Sequence, residues 1–223
     1  MGGLVLLNGD EREVKLDLAS LGVAVPPNMY VPAASVRDGE LQWPASLRPP
    51  LVVKGIGRLI HHKTRLGLLD VGVSTETELV EAIHHMQETA ERDDLPVEGF
   101  LLEEMIPGSR DLIVSLSAQP IGSVMMLGRG GVDVEHASPR VFAVRPVDAG
   151  YVSVMLQRLG VAGDAAIDGA AAVIQQLAVY YDANGLDTLE CNPVRLDAPN
   201  GPCVLDALAM APSKPATATL EPV

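Results

Sequence analysis

The chain has 223 residues, 48% hydrophobic and only 3% aromatic, enough apolar material for one large domain or two small ones with a core of Val, Leu, Ile, Ala and Met. A formal net charge of −13 excludes a phosphate-backbone surface of clustered Lys and Arg, so nucleic acid is not an expected partner. Cys191 and Cys203 lack metal-ligand spacing, and no segment approaches the roughly 18 apolar residues of a membrane span, so the chain is expected to be cytoplasmic, with reduced thiols and no membrane partner.

Residues 10–22, DEREVKLDLASLG, carry Val14, Leu18 and Leu21 at helical spacing and end at Gly22, which predicts a short helix. VAVPPNMYVPA follows as an extended segment interrupted by prolines, and LVVKGIG (51–57) has the continuous apolar run of a buried strand. In residues 74–95, Thr75 and Glu78 have capping-box spacing, while Leu79, Ile83, Met86 and Ala90 share one helix face. His84 and His85 on that helix lack partners at metal-ligand spacing and read as solvated or rim positions.

The pattern then changes. GFLLEEMIPG, DLIVSLSA, PIGSVMMLG and RVFAVRPV are short, β-rich and bounded by Gly or Pro, which predicts a mostly antiparallel sheet. DAAIDGAAAVIQQLAVYYDANG predicts a long helix closing at Gly185, and LDTLECNPVRLDAPNGPCVLDALAM predicts a hairpin turning at APNGP. The fold class is therefore α+β in two lobes, 1–95 and 96–211, divided where LPVEG interrupts the pattern. A Pro/Ala/Thr-rich tail, 212–223, reads as disordered.

The last hairpin carries the most chemistry. Glu190 and Asn192 are two apart and share a strand face, and Asp206 on the return strand sits among apolar neighbours where the turn could bring it opposite Asn192. A carboxylate in that setting needs a counter-charge. Oxygen donors that leave room for water and phosphates suit Mg²⁺ better than zinc, although the same residues also read as the solvated polar face of an edge strand. Lys54, inside LVVKGIG, must snorkel out of its strand or meet a negative ligand such as phosphate. Glu103 and Glu104 alternate faces, so at most one enters a cleft. The glycines of LGRGGVDVE, Gly130 and Gly131, could offer backbone N–H groups to phosphate oxygens or form an ordinary turn. His61, His62 and Lys63 lie side by side in HHKTRLG, either as polar loop residues or as reactive groups.

Taken in order, LVVKGIG…HHKTRLG, LLEEMIPGSRDLIV, VMMLGRGGVDVE and LECNPVRL…VLDAL resemble the ATP-grasp part of the nucleoside-diphosphate-forming acyl-CoA synthetases, relatives of succinyl-CoA synthetase, over residues 10–210. The resemblance implies an ATP-grasp fold whose two α+β lobes hold ATP or ADP with Mg²⁺ in the cleft between them. It also implies a separate CoA-binding α-type subunit and hence a hetero-oligomer, in which acyl-CoA formation or breakdown is coupled to phosphoryl transfer.

In that family Lys54 matches a phosphate-contacting lysine, Glu103 and Met105 match hinge residues that meet the adenine, and Glu104 matches a motif glutamate. Gly130 and Gly131 lie in the matched glycine stretch and are expected to contact the nucleotide; Asn192 and Asp206 match the metal ligands, and Glu190 stands where the family carries an acidic residue near the metal. His62 with Lys63 matches the stretch in which a histidine relays a phosphoryl group from a partner's phosphohistidine. Arg65, Leu68, Arg129, Ala143 and Leu208 depart from the family pattern, which leaves open a catalytically reduced subunit that regulates or scaffolds a CoA ligase or transferase. A further alternative is an ATP-grasp ligase joining a carboxylate to an amine.

Overall fold

The computed structural model describes residues 10–36, 43–60, 62–130 and 139–212. Asp10 caps the first helix, α1 (Glu11–Ser20), by accepting the Glu13 N–H at 3.0 Å, and Gly22 at φ 82° ends it as a left-handed glycine does. The buried stripe of α1 is Glu11, Val14, Lys15 and Leu18, two charges among two apolar side chains. Leu21, assigned to that face from its spacing, is 39% exposed.

Four strands form the first lobe's sheet: β1 (Asn28–Pro32), β2 (Leu51–Ile56), β3 (Leu69–Val73) and β4 (Gly99–Glu104), in the order β1-β4-β2-β3 and antiparallel throughout. A single helical turn, α2 (Lys63–Leu66), leads into β3, and α3 (Glu76–Arg92) covers the sheet. Thr75 and Glu78 form the expected capping box on α3. Leu79, Ile83 and Met86 pack beneath it on Leu51, Val53, Leu68, Phe100 and Leu102, while Ala90 is only half-buried.

The second lobe is an antiparallel sheet in the order β10-β8-β5-β6-β7, with β9 paired to β8. Its strands are β5 (Asp111–Gln119), β6 (Gly122–Arg129), β7 (Arg140–Val144), β8 (Thr188–Arg195), β9 (Cys203–Val204) and β10 (Ala207–Met210). Two helices back it, α4 (Ala149–Arg158) and α5 (Asp164–Ala183). Helix α4 has no counterpart in the sequence reading, yet Asp148 caps it by accepting the Tyr151 N–H, and Val152, Met155, Leu156 and Leu159 give it an apolar stripe.

Two features revise the expected lobe division. β4 completes the first sheet, so the crossing between lobes follows Glu104 rather than residue 96. Val14, Leu18 and Val23 pack in the second core beside Leu112, Leu156 and Ile174, so α1 belongs to the second lobe although it starts the chain. The tail 213–223 lies outside the described residues.

The crossing itself is clamped. Arg195 donates to both carboxylate oxygens of Asp111, at 2.6 and 3.0 Å, and to the Ile106 carbonyl. Asp197 accepts the N–H groups of Ser109 and Arg110. Gly108, at φ 135°, has no room for a Cβ, which would lie 2.4 Å from Arg195 Cδ.

Candidate functional site

β8 presents Glu190 and Asn192 on the face opposite buried Leu189 and Cys191, as the period of two requires. The Asn192 N–H donates to the Asp206 carbonyl at 3.1 Å, which brings Asp206 beside it just before β10. Across the cleft, His62 stands in the left-handed conformation (φ 56°, ψ 48°) and opens α2, whose first residue is Lys63. His62, Lys63, Glu190, Asn192 and Asp206 line one cavity of about 200 Å³, together with Asp10, Glu11 and Leu208. Small-molecule pockets run to roughly 300–1,000 Å³, so in this conformation the cavity matches the polar end of a ligand rather than a whole nucleotide.

At the back of the cleft three lysines meet three carboxylates. Lys54 Nζ lies 2.5 Å from Glu11 Oε1 and 2.8 Å from Glu103 Oε2, and donates to the Leu205 carbonyl at 2.7 Å. Lys15 Nζ reaches Glu103 Oε1 at 2.6 Å, Glu11 Oε1 at 2.7 Å and the Leu205 carbonyl at 2.6 Å. Lys63 Nζ lies 2.8 Å from Glu11 Oε2 and 3.4 Å from Asp206 Oδ1. Lys15, Glu103 and Lys54 are 1%, 2% and 4% exposed.

The electrostatics follow from this packing. Burial alone would raise the Glu11 carboxyl, but Lys15, Lys54 and Lys63 overcome it and hold its pKa well below the usual range. Burial would lower Lys54, but Glu103, Glu11 and Asp206 lift it well above an ordinary lysine. Lys63 is lifted in the same way, against burial, by Glu11 and Asp206. The Asp206 carboxyl moves up, first through burial and then through Glu11, with the three lysines opposing. At the cleft 36% of the Asp206 side chain remains exposed.

Several expected contacts are placed differently. Glu103 faces Lys15 and Lys54, so its carboxylate is committed to ammonium groups and turned away from any hinge-bound base. Lys54 spends its donors on the same cluster and offers none to phosphate in this conformation. Glu104 accepts from the Arg48 backbone and guanidinium. Met105 is exposed, with its N–H donating to the Pro50 carbonyl. The Gly130 N–H donates to the Asp111 carbonyl, and an added Cβ would lie 2.7 Å from the Leu112 backbone, so this glycine serves close strand packing. Gly131 and His61 lie outside the described residues.

Glu11 and Lys15 escaped the sequence reading. Their signal was available: they share the stripe of Val14 and Leu18 at i, i+3, i+4 and i+7. The chain also has only four lysines, Lys15, Lys54, Lys63 and Lys214, against twelve arginines. Three of those four meet here.

The donor set fits a hard divalent cation, because Glu190, Asn192 and Asp206 bring two carboxylates and an amide oxygen to one cavity wall. Among the described residues no three His, Cys, Asp or Glu side chains converge as metal ligands would, so the amide of Asn192 and ligand or water oxygens would have to complete the shell. Among the same residues no helix is long and apolar enough to cross a membrane.

Comparison with known proteins gives the family. Residues 7–209 match the ATP-grasp domain. The chain is 30% identical over 158 residues to the ADP-forming 4-hydroxybutyrate–CoA ligase of Nitrosopumilus maritimus, covering 65% of this chain and 23% of that one. It is 26% identical over 140 residues to the beta subunit of the ADP-forming acetate–CoA ligase I of Pyrococcus furiosus, covering 61% and 59%. The chain thus spans about a quarter of the first relative and under two thirds of the second. Among solved structures, the dinucleotide forming acetyl-coenzyme A synthetase 1 of Ca. Korarchaeum cryptofilum, in complex with coenzyme A and Ca-AMPCP, superposes with a TM-score of 0.72 at 23% identity, covering 92% of this chain and 93% of that one. The chain belongs to the ATP-grasp domain family, among relatives named as ADP-forming acyl-CoA ligases.

Proposed function

We propose that the chain is the nucleotide-binding half of an ADP-forming acyl-CoA synthetase, working with a CoA-binding subunit or domain. The observation that carries this reading is the convergence of His62, Lys63, Glu190, Asn192 and Asp206 on one cleft between the lobes of an ATP-grasp fold. The named relatives supply the reaction class.

Each residue then has a physical task. Glu190, Asn192 and Asp206 would hold Mg²⁺, which when bound neutralises charge on the phosphates. Lys63, protonated at any physiological pH, orients phosphoryl oxygens once it turns from Glu11 and Asp206. His62 is exposed at the cleft, where a neutral imidazole nitrogen can take a phosphoryl group from a partner's histidine or return it. The Arg195 and Asp197 clamp fixes the crossing about which the lobes move.

Calorimetric titration with Mg-ATP tests this. Micromolar binding that weakens at least about tenfold in Asp206→Ala supports it, and no binding by the folded chain with or without its partner overturns it. With the partner present, unchanged phosphate transfer in His62→Ala removes the relay role. A second reading, an ATP-grasp module kept for regulation or scaffolding, is favoured by one observation: Lys54 is fully engaged by Glu11, Glu103 and the Leu205 carbonyl. The same titration separates the two.

A further inference from the structure

The side of the cleft that belongs to the second lobe brings Glu11, Lys15, the Leu205 carbonyl and Asp206. The first lobe brings Lys54, Lys63 and Glu103. Each lobe alone is unbalanced, by −1 on one side and +1 on the other, and together they are neutral. Glu11 is the focus of this arrangement, since its Oε1 lies 2.7 Å from Lys15 Nζ and 2.5 Å from Lys54 Nζ, and its Oε2 lies 2.8 Å from Lys63 Nζ. Its Oε2 is buried and has no hydrogen bond of good geometry, so Lys63 attracts it by charge alone. Glu11 also lines the cavity that holds His62 and Asp206.

A carboxylate with three ammonium groups around it at the start of a ten-residue helix stands where an anionic ligand would be held best. We propose that Glu11 is a built-in competitor for the polyphosphate of the cleft, an autoinhibitory contact that latches the lobes until a more highly charged anion displaces it. The inference rests on the reading of this cleft as the nucleotide site. α1 is anchored in the second core by Val14 and Leu18, while Lys54 and Lys63 ride on the first lobe. Withdrawing Glu11 from Lys54 and Lys63 is therefore the same movement as parting the lobes. Lysine suits the task, because its ammonium sits on a flexible stem and can turn its three donors from one acceptor to another.

The test uses inorganic tripolyphosphate and, separately, Mg-ATP, titrated into the whole chain and into Glu11→Gln. Removing one carboxylate leaves three ammonium groups against two, so tripolyphosphate is expected to bind Glu11→Gln at least about tenfold more tightly than wild type. Glu81→Gln, an exposed change on α3 away from the cleft, is expected to leave binding unchanged. Should Glu11→Gln fail to fold, Glu11→Asp, which keeps the cluster neutral but draws the competing carboxylate back from Lys54 and Lys63 by one methylene, takes its place, and a smaller gain in the same direction is expected there. Equal or weaker tripolyphosphate binding by the folded variant overturns the proposal. If the variant gains tripolyphosphate binding but nothing binds Mg-ATP, the latch stands and the nucleotide reading falls. If Mg-ATP binds wild type and variant equally, the nucleotide reading stands and the latch falls.

Discussion

Glu103→Gln isolates what the charge cluster contributes to the fold. The substitution keeps the side chain's shape and removes one negative charge from a site 2% exposed. It leaves Lys15, which stood 2.6 Å from Glu103 Oε1, and Lys54, which stood 2.8 Å from Oε2, sharing Glu11 with Lys63. Removing one partner of a buried pair costs about 3–5 kcal/mol, because the remaining charge stays out of water. For a domain of this size each kcal/mol lowers Tm by about 2–4 °C, so a fall of roughly 6–20 °C is expected. Urea titration should show a lower midpoint with an unchanged slope. The charge-balanced double variant Lys15→Met/Glu103→Gln should cost less than the sum of its single changes, with a coupling energy of at least about 1.5 kcal/mol. A single-variant cost below about 1 kcal/mol would refute the reasoning, since that is the range of exposed ion pairs. So would strict additivity of the double variant.

Other outcomes follow from the same geometry. Gly108→Ala forces a side chain onto a positive φ and into Arg195 and Asp197, so urea denaturation should register a loss of about 1–3 kcal/mol. Glu11 is held well below 4.5, so the stability it contributes is present above the ordinary carboxylate range and is lost only as pH falls through its depressed value. Stability measured against pH should therefore decline below about 4.5 in wild type and flatten there in Glu11→Gln. Lys63, raised above 10.5, contributes below that value and loses its contribution as pH rises through its folded pKa, so alkaline unfolding should move to lower pH in Lys63→Met. With a net charge of −13 and a neutral cluster, the long-range field repels a polyphosphate. Raising ionic strength from about 0.01 to 0.15 M shortens the screening length from about 30 to 8 Å and should speed Mg-ATP association in stopped flow; slower association would mean a positive steering patch.

Local rules made most elements legible. The capping box of α3, the apolar run of β2 and the alternation of Glu190 and Asn192 against Leu189 and Cys191 each follow from a period and a boundary signal. α4 is harder to read, because its stripe of Val152, Met155, Leu156 and Leu159 directly follows a strand-rich stretch of period two. The lobe boundary was misplaced for a different reason. LPVEG ends α3, but whether the next strand joins the sheet behind it or the one ahead is settled by pairing across more than forty residues, Leu51 with Glu104 and Val52 with Glu103. No local signal carries that register. Glu103 shows the same gap, since its partner Lys15 lies 88 residues away.

The departures from the family pattern sort by where they sit. Leu68 is fully buried in the first core, and a Cβ added at Gly55 would stand 3.2 Å from its Cδ2. Ala143 is buried in the second core, so both positions answer to packing and neither changes the charge at Lys54. Arg65 is exposed on α2 and has no role in the cluster. What sets the charge at Lys54 is Glu11 and Glu103, which the departures do not touch. The two functional readings thus reduce to one exchange: the ammonium groups of Lys54 and Lys63 leave Glu11 and take up phosphate oxygens. A polyphosphate brings more negative charge than one carboxylate, which favours the exchange. Parting Lys15 from Glu103 and Lys63 from Asp206 as the lobes separate opposes it. A ligase needs the first effect to exceed the second at cellular nucleotide concentration; a scaffold needs the reverse. The sign of that difference, rather than the presence of Glu190, Asn192 and Asp206, decides which of the two this chain is.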